Sequence, residues 1–366
     1  LKPIAKLSAG QSWRVRKESL KQRKVVDAIR QKILSGEYPA GSRIPIQAEL
    51  VREFGMSSVT IQRAIHELKR QGFITARRRL GTFITEKPPH LHNYALVFPQ
   101  DPLLSTVWSN FYEGLRRVGE KINRGDERLI SFFYDMLESE QSDDYRRLVE
   151  LVENHQLSGL IFASPPHRLL DTPLMTEPGI PRVAIAGDPS GLDIPTLSPG
   201  GVSLLELAAR HLAGRNARRI ALFCANGLYL DSWLRGQADF ARMGLSTREQ
   251  WCFMIPALAS DTARACARLL MDLPRAERPD GIMVMDDHLT EAVEQGIMNA
   301  TDPGARKTEI IAVCNFPDRF AHQLPISRVG NDAADILEAA IGIIDAQRAG
   351  KKVRRQTFIK AYIEEA

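Results

Sequence analysis

Apolar positions fall into register from the first stretch of regular pattern. In KQRKVVDAIRQKILS, Val25, Val26, Ile29, Ile33 and Leu34 share one stripe at helical spacing, which predicts a helix over 21–35. Gly36 follows as a C-cap, and Pro39 forbids continuation. A second short helix fits 47–54, with Leu50, Val51 and Phe54 apolar and Gly55 at its end. A third begins at Ser57 or Ser58, both good N-caps. Its apolar set is Ile61, Ala64, Ile65 and Leu68; its other face carries Thr60, Gln62, Arg63 and His66. After Gly72 the period drops to two, and 73–76 and 82–85 read as short strands joined by 77–81.

Beyond residue 93 the pattern changes to short apolar runs alternating with amphipathic segments. Strands are expected at 94–98, 129–134, 159–163 and 182–186, with helices at 108–122 and 143–154. A second round follows, with helices at 204–212, 233–243, 262–271 and 289–298 and strands at 219–224, 251–255, 281–285 and 309–313. Such alternation predicts a parallel sheet with helices on both faces. Two rounds predict two doubly wound lobes, with ligands outside the carboxyl ends of the strands, where the lobes face each other. The fold class is therefore α/β: a small helical module with a hairpin, then a two-lobed parallel-sheet domain. The expected organisation is an extension at 1–20, a first domain at 21–86, a linker at 87–93 and a lobed domain at 94–366. Within the last, lobe 1 takes about 94–188 and 313–350, and lobe 2 about 193–311 and 353–366. Pro88 and Pro89 make the linker short and stiff.

Charge separates the two parts. Residues 1–90 hold 19 Lys and Arg against 7 Asp and Glu, while the rest of the chain holds 30 against 37. A basic small module on an acidic large one points to a polyanion partner for the first part. Helix, helix, turn, helix, hairpin is the order of a winged helix-turn-helix. Its third helix can enter a major groove, and the hairpin tip can set Arg77, Arg78 and Arg79 against phosphates or in a minor groove, whose potential offsets their mutual repulsion. Gly81 lets the backbone turn close to a duplex. Double-stranded operator DNA is the expected partner.

The segment Gly36 to Pro45 (GEYPAGSRIP), then Glu49-Leu50, Ser57, Thr60, Ala64, Leu68 with Gly72, and Gly81-Thr82-Phe83, together resemble the DNA-binding domain of the gluconate-repressor (GntR) family over about 21–86. The resemblance implies DNA contacts from Arg43, Ser57, Ser58, Thr60, Gln62, Arg63, Arg77, Arg78, Arg79, Gly81 and Thr82. Ser58 and Gln62 stand where arginines are common in that family; Gln can read adenine bidentately.

Residues 94–366 resemble the effector domain of the lactose-repressor (LacI) family, itself similar to periplasmic sugar-binding proteins. The carriers are Gly179 to Ile185 (GIPRVAI), Ala208 to Leu212 with Arg218 to Ala221, Pro279 to Asp287 (PDGIMVMDD), and the stretch from Val329 to Ile363. Strand-end logic nominates Trp108 and Phe111, Ser164, Trp233 and Arg235, Asp287 and His288, and Phe316 as effector-binding residues. The resemblance implies that Asp287 hydrogen-bonds sugar hydroxyls, with aromatics stacking on sugar C–H faces. Trp108 and Phe111 suit a lobe core as well, Asp286 or Asp287 equally suits the cap of the following helix, and His288 equally suits a helix start. Trp233 stands where that family has an arginine.

The remaining features narrow the class. There is no GxSxG elbow, HExxH, Walker sequence or CxxC pair, so no enzyme, cofactor or metal is expected. His90 and His92 have no acidic or thiol neighbour and read as incidental. Cys224, Cys252, Cys266 and Cys314 are far apart, as in a reduced protein. No apolar run reaches the roughly 18 residues of a membrane span, and residues 1–20 carry no apolar core of a signal peptide. A cytoplasmic location and no membrane partner are expected. The reading is a ligand-responsive repressor that binds operator DNA as a homodimer and senses a sugar or sugar derivative between its lobes. The alternative is a constitutive DNA-binding protein whose lobed domain only dimerises.

Overall fold

The computed structural model describes residues 20–103, 109–136, 142–225, 227–317 and 321–366. The chain divides after Leu91 into two compact units.

In the first unit, α1 (Leu20–Leu34), α2 (Gln47–Phe54) and α3 (Ser58–Arg70) precede the antiparallel pair β1 (Ile74–Arg77) and β2 (Gly81–Ile84). The apolar stripe sets the packing: Val25, Val26, Ile29 and Ile33 of α1 are buried with Leu50, Ile61, Ala64, Leu68, Phe73 and Ile84. Glu49 Oε2 accepts from the Ile46 backbone at the start of α2, and Gly55 ends that helix at φ 60°. Residues 42–44 add to the outer side of β2, with Ile44 N donating to Thr82 O and Ile84 N to Ser42 O. Leu20 opens α1; the other residues of the expected extension lie outside the described ones. The expected linker is not simply extended. Pro89–His92, α4, form a helical turn, and buried His90 stacks on Phe73 at 5.8 Å between centroids. Proline is favoured at the first helical position, so Pro89 starts a turn here rather than stretching the chain.

The second unit continues with β3 (Asn93–Val97), α5 (Asn110–Ile122), β4 (Leu129–Phe133), α6 (Asp143–Glu153), β5 (Gly159–Phe162), α7 (Pro173–Thr176), β6 (Arg182–Ile185) and β7 (Thr196–Ser198). Then come α8 (Gly201–Gly214), β8 (Ile220–Cys224), α9 (Gly227–Arg235), α10 (Gln237–Arg242), β9 (Cys252–Met254), α11 (Ser260–Met271), β10 (Gly281–Val284), α12 (Asp287–Met298), β11 (Glu309–Phe316) and β12 (Ile326–Asp332). α13 (Ala333–Arg348), β13 (Gln356–Phe358) and β14 (Tyr362–Glu364) close the chain. Two six-stranded sheets result, ordered β4-β3-β5-β6-β7-β13 and β9-β8-β10-β11-β12-β14. The first is parallel throughout; in the second only β14 runs against its neighbour. Helices cover both faces: α5 and α13 on one side of the first sheet and α6 on the other, α11 and α12 against α8 and α9 on the second. This is the doubly wound, two-lobed α/β fold that the alternation predicts.

The crossings between lobes differ from those expected. Residues 196–198, expected in lobe 2, pair in the first sheet, because Ala186 N and Thr196 N donate to Leu197 O and Arg355 O and so extend its edge. β13 likewise pairs in the first sheet, not in lobe 2. β12 and the end of β11, expected in lobe 1, lie in the second sheet. Gly330 fixes that register: a Cβ there would come within 1.7 Å of Cys314 O on the neighbouring strand. The expected helix at 233–243 is two helices broken at Gly236.

Candidate functional site

In the first unit, Ser57 caps α3, its Oγ accepting from Thr60 N at 3.2 Å and lying 2.9 Å from Thr60 Oγ1. Gln47 of α2 donates to the Ser58 backbone at 3.1 Å and to Ser58 Oγ at 2.6 Å. These serines and Thr60 therefore set the entry of α3, with Gln47 as a residue the pattern alone did not single out. Burial of Ile61, Ala64 and Leu68 leaves Gln62 and Arg63 exposed on the outer face. A cavity of about 220 Å³ between α3 and the hairpin root gathers Arg43, Gln47, Gln62, Gly81 and Thr82. Gly81 is needed there because its φ is 118°, a conformation that side chains rarely adopt; the guanidinium end of the flexible Arg43 side chain would meet a Cβ there at 2.9 Å.

The three adjacent arginines are not equivalent. Arg77 pairs with Glu86 at 2.8 Å and lies over the Phe83 ring at 4.6 Å, so the hairpin itself uses its charge. Arg78, Arg79 and Leu80 form the exposed tip, with Arg79 at φ 62°. Among the described residues Arg78 and Arg79 make no hydrogen bond or ion pair.

In the second unit a cavity of about 810 Å³ opens at the carboxyl ends of β3, β5, β6 and β10. From the first lobe come Ser109, Phe111, Tyr112 and Ser164; from the second, Asp286 and His288. Ser109 caps α5. Tyr112 packs edge-on to Phe98, which stacks on Tyr134, and its hydroxyl bonds Ser164 while burial pushes its pKa up. Asp286 caps α12, its Oδ1 accepting from His288 N at 3.1 Å. His288 Nδ1 lies 3.2 Å from Asp286 and 3.1 Å from Asp287. Hydrogen bonds to Asp286 and then Asp287 outweigh its partial burial and raise the imidazole pKa to about 10, so it is charged at neutral pH. Burial opposes the Asp287 charge, yet His288, Asn110 and Asn315 hold its carboxyl below the usual range.

The strand-end candidates are only partly brought together. Phe111, Ser164 and His288 line the cavity. Trp233 does not: it is 1% exposed and packs on Phe240 at 4.2 Å, because α9 turns that position into the lobe core. Arg235 points to solvent beside Asp231, one helical turn back. Asp287 faces a separate cavity of about 390 Å³, where Asn315 donates to it at 2.9 Å and Asn110 reaches it from the other lobe. Phe316 is buried at the end of β11, beside Asp332 and Tyr362. Trp108 lies outside the described residues. Asp286 and Tyr112, unchosen from the sequence, take the places in the cavity. The Asp286-Asp287 pair gave the right place and left open which carboxylate faces inward; Tyr112 was signalled only by its neighbour Phe111.

The family model described as bacterial regulatory proteins, gntR family, matches residues 21–84. The N-terminal module is a GntR helix-turn-helix domain. Over 63 residues it is 46% identical to the histidine utilization repressor of Klebsiella aerogenes, a match covering 17% of this chain and 26% of that protein. The chain thus spans about a quarter of the length of the first such relatives. The arabinose metabolism transcriptional repressor of Halalkalibacterium halodurans is 24% identical over 343 residues, covering 87% of this chain and 88% of that one. A LacI family transcriptional regulator from Lactobacillus casei, solved with bound glucose, superposes with a TM-score of 0.50 at 16% identity, covering 75% of this chain and 98% of that chain. The second unit therefore has the fold of LacI-type regulators. Among the described residues no helix is long and apolar enough to cross a membrane.

Proposed function

We propose that the chain is a ligand-responsive transcriptional repressor, which binds operator DNA as a homodimer through its GntR domain and senses a sugar or sugar derivative in the cavity between its lobes. The observation that carries this reading is the joining, in one chain, of an exposed basic hairpin tip to a two-lobed domain whose cleft collects aromatic and hydroxyl groups. The likeness to an arabinose metabolism repressor over most of both chains supports it, as does the glucose-bound structural relative. Two DNA-binding modules in a symmetric dimer present α3 to half-sites about one helical turn apart. A ligand changes operator affinity only by as much as its own affinity differs between two conformations, typically 5- to 150-fold.

The test selects binding sites from a random duplex library with the full chain, then titrates the selected DNA against sugars and sugar derivatives by fluorescence anisotropy. The expected result is a two-fold symmetric site whose affinity falls at least fivefold with one ligand class. A symmetric site with affinity unmoved by any ligand would leave only constitutive DNA binding.

A further inference from the structure

Beyond residue 90 the chain is acidic, with 37 Asp and Glu against 30 Lys and Arg, yet Lys351-Lys352-Val353-Arg354-Arg355 sets four cations in five residues. All four are exposed, and Gly350, at φ 66°, turns the chain out of α13 into this segment. Among the described residues the side chains of Lys351, Lys352 and Arg354 make no hydrogen bond or ion pair, and Arg355 reaches only Leu192 O, at 3.5 Å. Exposed Asp193, next along from Leu192, pairs with none of them. The neighbouring cations Arg128 and Arg348 differ, since both pair with Asp345, at 3.7 and 2.9 Å. The place of the segment in the fold gives its charge a direction. It leads into β13, which runs parallel to β7 from Gln356 at the edge of the first sheet. It therefore lies at the amino ends of those strands, opposite the carboxyl ends that border the cavity. Asn93, where the chain arrives from the GntR domain, starts β3 at the same end, four strands away, or about 19 Å at ordinary strand spacing.

We infer that the 351–355 segment is a second DNA contact, which holds backbone phosphates of the duplex that the GntR domain binds. The inference rests on the DNA-binding reading above. An exposed, extended run of Lys and Arg offers no fixed geometry to base edges, but it neutralises phosphates and releases their counterions. The GntR domain is tethered to the same end of the lobe, so a duplex that it holds meets the segment at a high effective concentration. The segment thus adds affinity and salt dependence without adding base sequence.

Fluorescence anisotropy at several salt concentrations tests this with the full chain and a mixed-sequence duplex about four helical turns long. Replacing Lys351, Lys352 and Arg354 together by Ala should weaken binding about tenfold and lower the salt slope by roughly 2. The matched control replaces Arg210, Arg215 and Arg242 by Ala, three exposed cations of the second lobe that pair with Glu206, Glu309 and Asp239. It should leave the slope unchanged. Equal losses from both triple variants would reduce the effect to net charge and overturn the contact. An unchanged slope in the 351–354 variant, with Arg78→Ala and Arg79→Ala still lowering it, overturns the contact and leaves DNA binding by the GntR domain standing. No binding by the unaltered chain, on this duplex or on one selected from the random library, overturns both.

Discussion

The hairpin tip of the first unit and the rim of the cleft in the second each gather three ionisable residues in sequence, and they treat the charge in opposite ways. At Arg77-Arg78-Arg79 only the first is answered from within, by Glu86 and Phe83, while Arg78 and Arg79 stand exposed. At Asp286-Asp287-His288 each group is answered by another, and side-chain exposures are only 24%, 12% and 25%. Charge left open is available to a polyanion, whose released counterions would drive binding under the function proposed above. Charge closed on itself shapes a site and sets its polarity. Trp233 extends the contrast to aromatics, since it is consumed by the core while Phe111 remains at the cavity wall.

The largest effect should come from what the fold has consumed. Trp233→Ala removes a fully buried ring packed on Phe240, and such truncations cost about 3–5 kcal/mol. Chemical denaturation should show that loss in the lobed domain. A change below about 1 kcal/mol with ligand response abolished would return Trp233 to the cleft and erase the contrast.

Next come the open charges. Replacing Arg78 and Arg79 together by Ala should weaken DNA binding by about tenfold or more and reduce the salt slope by roughly 2. Arg77→Ala should move the slope less, because Glu86 already offsets its charge. Anisotropy titrations at several salt concentrations separate the two. Equal slope changes for Arg77 and Arg78 would mean that DNA draws Arg77 away from Glu86.

The closed cluster predicts a pH signature. The His288 pKa is raised to about 10 from an ordinary 6.5, so its stabilisation is full below about pH 6.5 and lost as pH rises through 10. The lowered Asp287 carboxyl contributes in the other sense, with its share present above its ordinary value of 3.8 and lost as pH falls below it. His288→Gln should therefore lose about 1–3 kcal/mol at pH 6, with the deficit closing above pH 10. A deficit constant from pH 6 to 10.5 would show that the ion pairs contribute nothing.

The same contrast explains what was legible in the sequence. Helices, strands and the two-lobed sheet follow from local periodicity, and Val25, Val26, Ile29 and Ile33 were readable as a buried stripe because period is a local property. Arg43, Gln62, Gly81 and Thr82, which the GntR resemblance implied as DNA contacts, line one cavity because a compact module of short connections leaves them few alternatives. The cleft residues were harder. Whether Asp286 or Asp287 faces the cavity depends on the last peptide before α12, and whether Trp233 faces core or cleft depends on where α9 begins, at Gly227 rather than at 233. β12 and β13 escaped their lobes for the same reason, since sheet membership is decided by partners far along the chain.

The smallest effect separates stability from function at a single residue. Arg79 sits at φ 62°, in the left-handed region where a side chain costs about 1–2 kcal/mol and glycine costs little. The residue makes no hydrogen bond or ion pair among the described ones, so nothing within the fold offsets that strain. Arg79→Gly should thus stabilise the first unit or leave it unchanged, within about 1 kcal/mol, while weakening DNA binding and lowering the salt slope by about 1. Thermal unfolding and anisotropy on the same preparation read both quantities. Opposite signs would show that the turn carries a strained arginine for the sake of its charge outside the fold. A loss of stability together with unchanged DNA binding would place the Arg79 side chain among the groups the fold consumes, and the hairpin tip would then resemble the cleft rim rather than oppose it.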